Sequence, residues 1–399
     1  MFELLLRPEV QHYIRQHAHV DEKAWLLKTR EVFGIAPRLM AQQMAGLRKA
    51  FNKLPSWASS ENIVYPPALN LEQTSSEATA RFKASVVTSS GGHQRGVDLT
   101  CGWGVDSFFL SEPFDAWTCV ERDPDLLAMA QHNHHQLGRS NIVYENTSAE
   151  AWLATHKARC DWIFIDPSRR QQGNQKVVSL AACEPDVVRL QDTWLNTAPN
   201  VLIKTSPLLD IRQALRELAH VKDVFVLAVD NECKELLFHQ VRGFVGEATI
   251  HACHVSGKTC KETSRFSFAL SDEQSAMITE GAPLRFLFEP NAAILKAGAF
   301  RQVGLRWGVQ KLHPNTHLYT AADAIPLFPG RTFEILESVK PDKSLASRLP
   351  NGQANILLRN YPLTVEALKK KTGVVEGGDL FLLGARHTGG VSLWLCRRL

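Results

Sequence analysis

The sequence predicts an α/β protein built on a doubly wound parallel sheet, and three observations carry that prediction. Apolar, β-favouring segments alternate with helical patterns from Gly96 to roughly Phe268, and alternation of that kind buries a parallel sheet between two helical layers. The first segment, Gly96-Val97-Asp98-Leu99, runs into Thr100-Cys101-Gly102-Trp103-Gly104 and then into a helix-like stretch from Val105 to Leu110. A strand, a two-glycine turn and a helix start in succession bring main-chain N–H groups close to a ligand, because glycine lets the chain approach without a Cβ. The third observation is that two further segments end in polar chemistry. Glu121 closes Trp117–Val120, and Asp166 closes Trp162–Ile165 with Pro167, Ser168, Arg169 and Arg170 behind it. Ligands of such sheets sit at the carboxyl ends of the strands.

Taken in order, residues 1 to about 70 read as a small helical cap, with apolar residues at helical intervals through Ala24–Leu27, Val32-Phe33 and Leu39-Met40 and breaks at Gly34 and Pro37. Pro55 and Pro66-Pro67 mark an extended connection. Glu72 to Val87 fits a helix in front of the first strand, with Ser75 or Ser76 as its cap. Strands are expected at 97–99, 118–121, 142–145, 162–165, 201–204, 224–229 and 249–255. The last two have little room for a crossover helix between them, and Asn231-Glu232-Cys233 is expected in the connecting loop. Residues 276–335 read as a separate small α+β unit, with a short helix opening at Glu289 and a strand at 328–336. The tail reads as strand 355–358, helix 364–371 and strands 380–384 and 391–396. The helix has a Thr cap and ends in lysines, as the helix dipole favours.

At 399 residues the chain suggests two to three domains, and 44% hydrophobic with 22% charged residues is ordinary for a soluble globular protein. The apolar run at the start is too short for a signal peptide and no stretch approaches the roughly eighteen apolar residues of a membrane span, so a cytoplasmic protein without membrane contact is expected. The eight cysteines are scattered without a Cys-x-x-Cys pair, which argues against a disulfide framework and a zinc ribbon. In His251-Ala252-Cys253-His254, strand alternation puts His254 on the opposite face from His251 and Cys253, so no metal is expected. His132-Asn133-His134-His135 reads as a solvated or dipole-compensating helix end. The formal charge is only +4, yet basic residues outnumber acidic ones nine to four over residues 341–399, with Lys369-Lys370-Lys371 and Arg397-Arg398 among them. Such a segment either neutralises phosphates or is a solvated helix end.

Asp98-x-x-x-Gly102-x-Gly104, then Glu121, then Asp166-Pro167 resembles the class I (Rossmann-like) S-adenosylmethionine-dependent methyltransferases. The flanking runs Glu72–Glu77, Asp166–Arg170, Lys204–Asp210 and Glu232–Leu237 narrow the resemblance. They are similar to those of a bacterial group assigned as methyltransferases that carries a ferredoxin-like segment and a THUMP-like C-terminal domain, and the match covers essentially the whole chain. It implies a Rossmann-like seven-stranded sheet preceded by a small helical domain and followed by small α+β domains, with limits at 1–70, 71–275, 276–335 and 336–399. It also implies S-adenosyl-L-methionine as cofactor. On this reading Asp98 accepts from the donor's ammonium or a bridging water, the Thr100–Gly104 loop with Gly102, Gly104 and Asp106 admits its body, and Glu121 accepts both ribose hydroxyls. Arg122 or Asp123 shapes the rim, Ser148 stands where an acid often holds the adenine amine, and Gln73 and Ser76 are candidates for the methionine end. For Ser76 an ordinary cap is the competing reading.

Asp166 and the Pro167 carbonyl stand where the acceptor atom is oriented, and Arg169 with Arg170 suits a phosphate or a surface ion pair. Carbon methylation of pyrimidines needs a cysteine nucleophile; Lys204-Thr205-Ser206-Pro207 has none, leaving Cys233 in reserve. Nitrogen or oxygen methylation, with RNA as the partner by analogy with related THUMP-bearing families, is therefore the expectation. The glycine loop and Glu121 alone also permit a nicotinamide-dependent oxidoreductase, and a non-catalytic RNA-binding protein with a degenerate methyltransferase core is the third possibility. The oligomeric state is left open.

Overall fold

Pro8, Pro37 and Pro55 each open a helix, where the missing N–H costs nothing and the fixed φ suits the first turn. They start Pro8–His17, Pro37–Lys53 and Pro55–Ser59, while Asp21 starts Glu22–Lys28 by accepting from the Ala24 N–H at 2.8 Å. In the computed structural model, which describes residues 2–156, 158–169 and 180–399, these helices form the layer expected of residues 1–70. Its core runs through Met40, Met44, Leu47 and Trp57 and continues into Trp103, Val105 and Phe109 of the glycine-loop region. The Trp57 and Trp103 rings lie 4.8 Å apart, and the Trp103 indole N–H donates to the Val64 carbonyl at 3.0 Å. The residue between the two glycines is thereby pinned to the helical layer.

The next helix starts later than expected. Ala68–Gln73 forms a separate short helix, and Glu77–Ser90 begins after Ser76, whose Oγ accepts from the Thr79 N–H.

The main sheet is made of β1 (Arg95–Asp98), β2 (Ala116–Val120), β3 (Ile142–Glu145), β4 (Trp162–Ile165), β5 (Asn200–Thr205), β6 (Val221–Val229), β7 (Glu232–Val241), β8 (Thr249–Val255) and β9 (Glu262–Ala269). Its order is β9-β8-β6-β7-β5-β4-β1-β2-β3. Strands β1 to β5 run parallel, and β4 is buried at every position. The sequence reading missed β7, which pairs antiparallel with β5 from Asn200 opposite Val241 to Thr205 opposite Leu236. Residues 232 and 233 therefore begin a strand, and the connection is the two-residue turn Asp230-Asn231. Both residues have positive φ, 49° and 66°, as a hairpin turn whose twist matches its strands requires. With β9 also unforeseen, the sheet has nine strands where seven were expected, and its five parallel strands, β1 to β5, form the expected doubly wound part.

The chain divides into two compact units. The first holds residues 1–230, 234–247 and 255–263; the second holds 231–233, 248–254 and 264–399. In the second, β10 (Phe286–Pro290), β11 (Gln310–His313), β12 (Thr316–Ala321), β13 (Gly330–Val339), β14 (Asn355–Arg359), β15 (Leu380–His387) and β16 (Gly390–Arg398) form one sheet in the order β11-β12-β10-β13-β16-β15-β14. The expected helix opening at Glu289 starts three residues later, as Ala292–Ala297 capped by Asn291, because 286–290 is strand. Val365–Thr372 is capped by Thr364 and ends in Lys369, Lys370 and Lys371, as expected.

Candidate active site

β1, β2 and β4 deliver Asp98, Glu121 and Asp166 to one edge of the sheet, and the loop 99–104 ties them together. The Leu99 N–H donates to the Phe164 carbonyl and the Cys101 N–H to the Val120 carbonyl, at 3.0 and 2.9 Å. Gly102 and Gly104 have φ of 56° and 87°, a left-handed backbone that a Cβ would strain. At Gly104 a Cβ would also lie 2.6 Å from His134 Nε2. That imidazole is fully buried, bonded to the Gly104 carbonyl through Nε2 at 2.7 Å and to the Tyr144 hydroxyl through Nδ1 at 2.9 Å. Burial pushes its pKa down to about 4, so the neutral ring donates from Nε2 and accepts at Nδ1. Of the helix end 132–135, His135 is exposed as expected, but His134 and Asn133 are buried, and Asn133 bonds both polar groups of Val64.

Asp98 is 1% exposed. Its Oδ2 accepts from Ser107 Oγ at 2.7 Å and its Oδ1 from the Thr100 N–H at 2.9 Å, so it lies beneath the loop rather than at its rim. Burial pushes its carboxyl up to about 7. Glu121 is half-buried; its Oε2 accepts from the Gly102 N–H and its Oε1 from the Asp123 N–H, at 2.8 and 2.9 Å. A carboxylate accepts about four hydrogen bonds, so Glu121 is aimed by the main chain and keeps acceptor capacity on both oxygens. Thr100 links the two remaining acids, donating to Asp98 Oδ1 at 3.3 Å and accepting from the Asp166 N–H at 2.7 Å.

A second set of charges lies behind Asp166 and takes in the candidate Asp106; its other members, Lys204, Lys83 and Glu235, were absent from the sequence-based candidates. Lys204, near the end of β5, sits 2.6 Å from Asp166 Oδ2 and 3.6 Å from Asp106 Oδ2. Lys83 is fully buried and lies 3.2 Å from Asp106 Oδ1 and 2.6 Å from Glu235 Oε1. Burial disfavours a charged Asp106, but Lys83 and Lys204 outweigh it and hold its carboxyl below the usual range. Burial likewise opposes the charge on Lys204, yet Asp166, Asp106 and Glu235 keep it above the usual lysine range. Asp166 alone opens to solvent, with 36% of its side chain exposed. Lys204 carried a signal, being a charge that ends the apolar run Val201-Leu202-Ile203.

Other candidates have local partners. Ser76 and Ser148 are caps, Ser148 Oγ accepting from the Ala151 N–H at 3.2 Å. Ser75 is the serine that joins the charged set, donating to Asp106 at 2.8 Å and accepting from Lys83 at 3.2 Å. Gln73 is exposed at the end of its short helix. Arg122 pairs on the surface with Glu184 at 2.6 Å. Pro167 follows Asp166 half-buried, the backbone of Arg169 pairs with Cys183, and Arg170 lies outside the described residues. Among the described residues no group of three or more His, Cys, Asp or Glu could hold a metal ion, and no helix is long and apolar enough to cross a membrane.

Comparison with known proteins fits this geometry. Residues 286–329 match a ferredoxin-like domain family and residues 330–398 a THUMP domain-like family. A Porphyromonas gingivalis W83 protein with a crystal structure, assigned as a methyltransferase, is 30% identical; it superposes with a TM-score of 0.86 over 99% of this chain and 98% of its own. An uncharacterised S-adenosylmethionine-dependent methyltransferase of Mycobacterium tuberculosis is 26% identical over 394 residues, 94% of this chain and 98% of that one. A 23S rRNA (uracil-C5)-methyltransferase of Vibrio cholerae is 25% identical over 88 residues, 22% of this chain and 24% of that protein. The class is therefore a methyltransferase of the Rossmann-like fold, not a nicotinamide-dependent oxidoreductase. The chain belongs to the S-adenosylmethionine-dependent methyltransferases that carry ferredoxin-like and THUMP-like C-terminal segments, and S-adenosyl-L-methionine is its methyl donor. The main-chain-aimed Glu121 carboxylate and the acid-rich strand edge suit a cationic, diol-bearing donor.

Proposed function

We propose that the protein methylates a nucleophilic nitrogen or oxygen of RNA in the cytoplasm. In this reading residues 71–275 carry the transfer, 276–335 form the ferredoxin-like segment, and the basic, THUMP-like segment 336–399 engages the RNA. The observation that carries the transfer is Asp166, a solvent-reachable acid at the end of β4 whose N–H is bonded to Thr100 of the glycine loop. Acceptor-facing acid and donor loop are thereby held in one geometry, and positioning is most of the catalysis of a group transfer. Glu121 takes the donor's ribose hydroxyls, the Gly102–Gly104 turn admits its body, and Asp98 supports that turn through Thr100 and Ser107. Bound there, the donor supplies an electrophilic methyl on a sulfonium; Asp166 and the Pro167 carbonyl orient the nucleophile, and Arg169 is of the residue type that suits a phosphate.

The RNA part draws on the THUMP-like match, the charge of the tail and the local likeness to the Vibrio cholerae rRNA enzyme. Carbon methylation is the weaker fit, since Cys101 and Cys119 are buried and Cys233 belongs to β7. The test is transfer from labelled donor into RNA, protein and small-molecule fractions by wild type and Asp166→Ala. Label is expected in RNA from wild type only, with donor binding by the variant retained. Normal transfer by Asp166→Ala would remove that residue from the chemistry, and RNA binding without transfer by wild type would favour a non-catalytic role.

A further inference from the structure

We propose that the acceptor atom is an oxygen, the ribose 2′-hydroxyl of RNA, and that Lys204 and Asp166 act on it as a pair, the ammonium facing the oxygen and the carboxylate taking its proton. The proposal deepens the RNA reading above and rests on it.

Two ammonium groups and three carboxylates from the helix 77–90, the helix 105–110, β4, β5 and β7 meet in one line. Glu235, Lys83, Asp106, Lys204 and Asp166 follow one another at 2.6, 3.2, 3.6 and 2.6 Å. Side-chain exposure is 4% at Glu235, 0% at Lys83, 10% at Asp106 and 11% at Lys204, then rises to 36% at Asp166. Burying four charges costs several kcal/mol each before pairing offsets it. A plain apolar core needs none of them, and the row reaches solvent beside the loop that admits the methyl donor. Paired ionisable groups buried in a row that opens at such an edge are what a reactive site needs and a packed core does not.

The sign and placement of the charges select the nucleophile. An amine nitrogen has one lone pair, and an ammonium bonded to it quenches the attack. A hydroxyl oxygen has two, so one accepts from Lys204 while the other meets the methyl carbon. Asp166 is also unlike a carboxylate left free to orient an amino group, because Lys204 already donates to its Oδ2. No aromatic residue follows Asp166-Pro167 to stack a flipped base; Ser168 and Arg169 stand there. Inside an RNA chain the sugar hydroxyl is the 2′-OH, a donor and an acceptor at once. It can give its proton to Asp166 and accept from Lys204.

The step balances without another reactant. The oxygen bonds to the methyl carbon as the carbon–sulfur bond of the sulfonium breaks, sulfur keeping that electron pair. As the bond forms, the oxygen becomes oxonium-like and its proton strongly acidic, so the Asp166 carboxylate takes it and returns it to solvent through its exposed side. Lys204 stays an ammonium throughout, held by the acids on either side. Lys83, Glu235 and Ser75 touch no substrate in this scheme; they position Asp106, which positions Lys204.

The full chain is incubated with tritiated donor and total RNA from cells lacking the gene, and the RNA is then cleaved with alkali. Ribose methylation blocks alkaline cleavage at its own nucleotide, so label in alkali-resistant dinucleotides is the expected result. Label in mononucleotides, on the base, overturns the oxygen assignment and leaves RNA methylation standing. Label confined to protein or small molecules, or transferred nowhere, overturns the RNA reading and this inference with it. Lys204→Met is expected to lower kcat by a factor of about 10²–10⁴ while calorimetry finds donor affinity within about threefold of wild type. Because that variant leaves acids unpaired, Lys204→Met/Asp166→Asn serves as the charge-balanced control, with a melting temperature near wild type and no recovery of transfer. Recovery of transfer in the double variant would reduce the pair to charge balance and overturn its catalytic role.

Discussion

Asp98 closes β1 with its carboxylate under the glycine loop, and its pKa of about 7 sets a pH dependence opposite to that of most carboxylates. The folded state holds a proton that the unfolded chain releases near pH 4. Asp98 therefore contributes most stability below that pH, loses it as pH rises from about 4 to about 7, and changes little above. The loss runs at up to about 1.4 kcal/mol per pH unit. Chemical denaturation of wild type and Asp98→Asn between pH 4 and 8 checks this, since wild type should lose stability relative to the variant, which does not titrate at this position, from about pH 4 to about 7. Glu121 behaves differently, because it is fixed by two main-chain N–H groups and half-open to solvent. Glu121→Ala is expected to weaken donor binding by about 1–3 kcal/mol, the cost of losing a charge-assisted bond, which calorimetry measures. Both acids were legible because a charge closing an apolar strand has few structural uses. Lys83 and Glu235 were not, since their partnership spans 152 positions and no local pattern announces it.

The turn between β1 and the helix 105–110 shows how an element transmits the demands of its neighbours. Gly104 is needed twice, for its backbone conformation and for the space that His134 fills. Gly104→Ala is therefore expected to lower stability by about 1–3 kcal/mol and to weaken donor binding along with it. Thermal melting with and without donor separates the two effects. Strand existence was readable wherever apolar β-branched residues ran together, as in Trp162–Ile165. It failed for β7, whose opening Glu232-Cys233-Lys234-Glu235 looks like a polar loop; pairing with β5 across the hairpin overrides that local signal. The hairpin also carries Glu235 to the buried charges, so the missed strand and the missed residue were one omission.

Across the whole chain, the ferredoxin-like and THUMP-like matches meet at residues 329 and 330, yet the sheet does not stop there. β13 lies between β10 of the first match and β16 of the second, and Leu287, Leu312 and Leu318 share a core with Phe333, Leu383 and Trp394. Glu289, 3% exposed on β10, is paired by Arg331 on β13 and Arg359 on β14. A fragment 330–399 is expected not to fold alone, since β13 would lose one hydrogen-bonded neighbour and the cover that Leu287, Leu312 and Leu318 give its core. A fragment 264–399 is expected to give a cooperative melt by circular dichroism, and cooperative melting of the shorter piece would show the two matches to be independent. The sequence reading placed a boundary at 335, inside β13, because a continuous sheet leaves no linker to read.

Trp103 gives the glycine turn a tenant in the helical layer. With its ring against Trp57 and its indole N–H on Val64, the path of the chain between Gly102 and Gly104 is inherited from residues far upstream. Damage to that upstream stacking should register first as looser capture of the methyl donor, with every acid at the strand ends intact. A lesion more than forty positions away from the turn can in this way mimic one in the pocket.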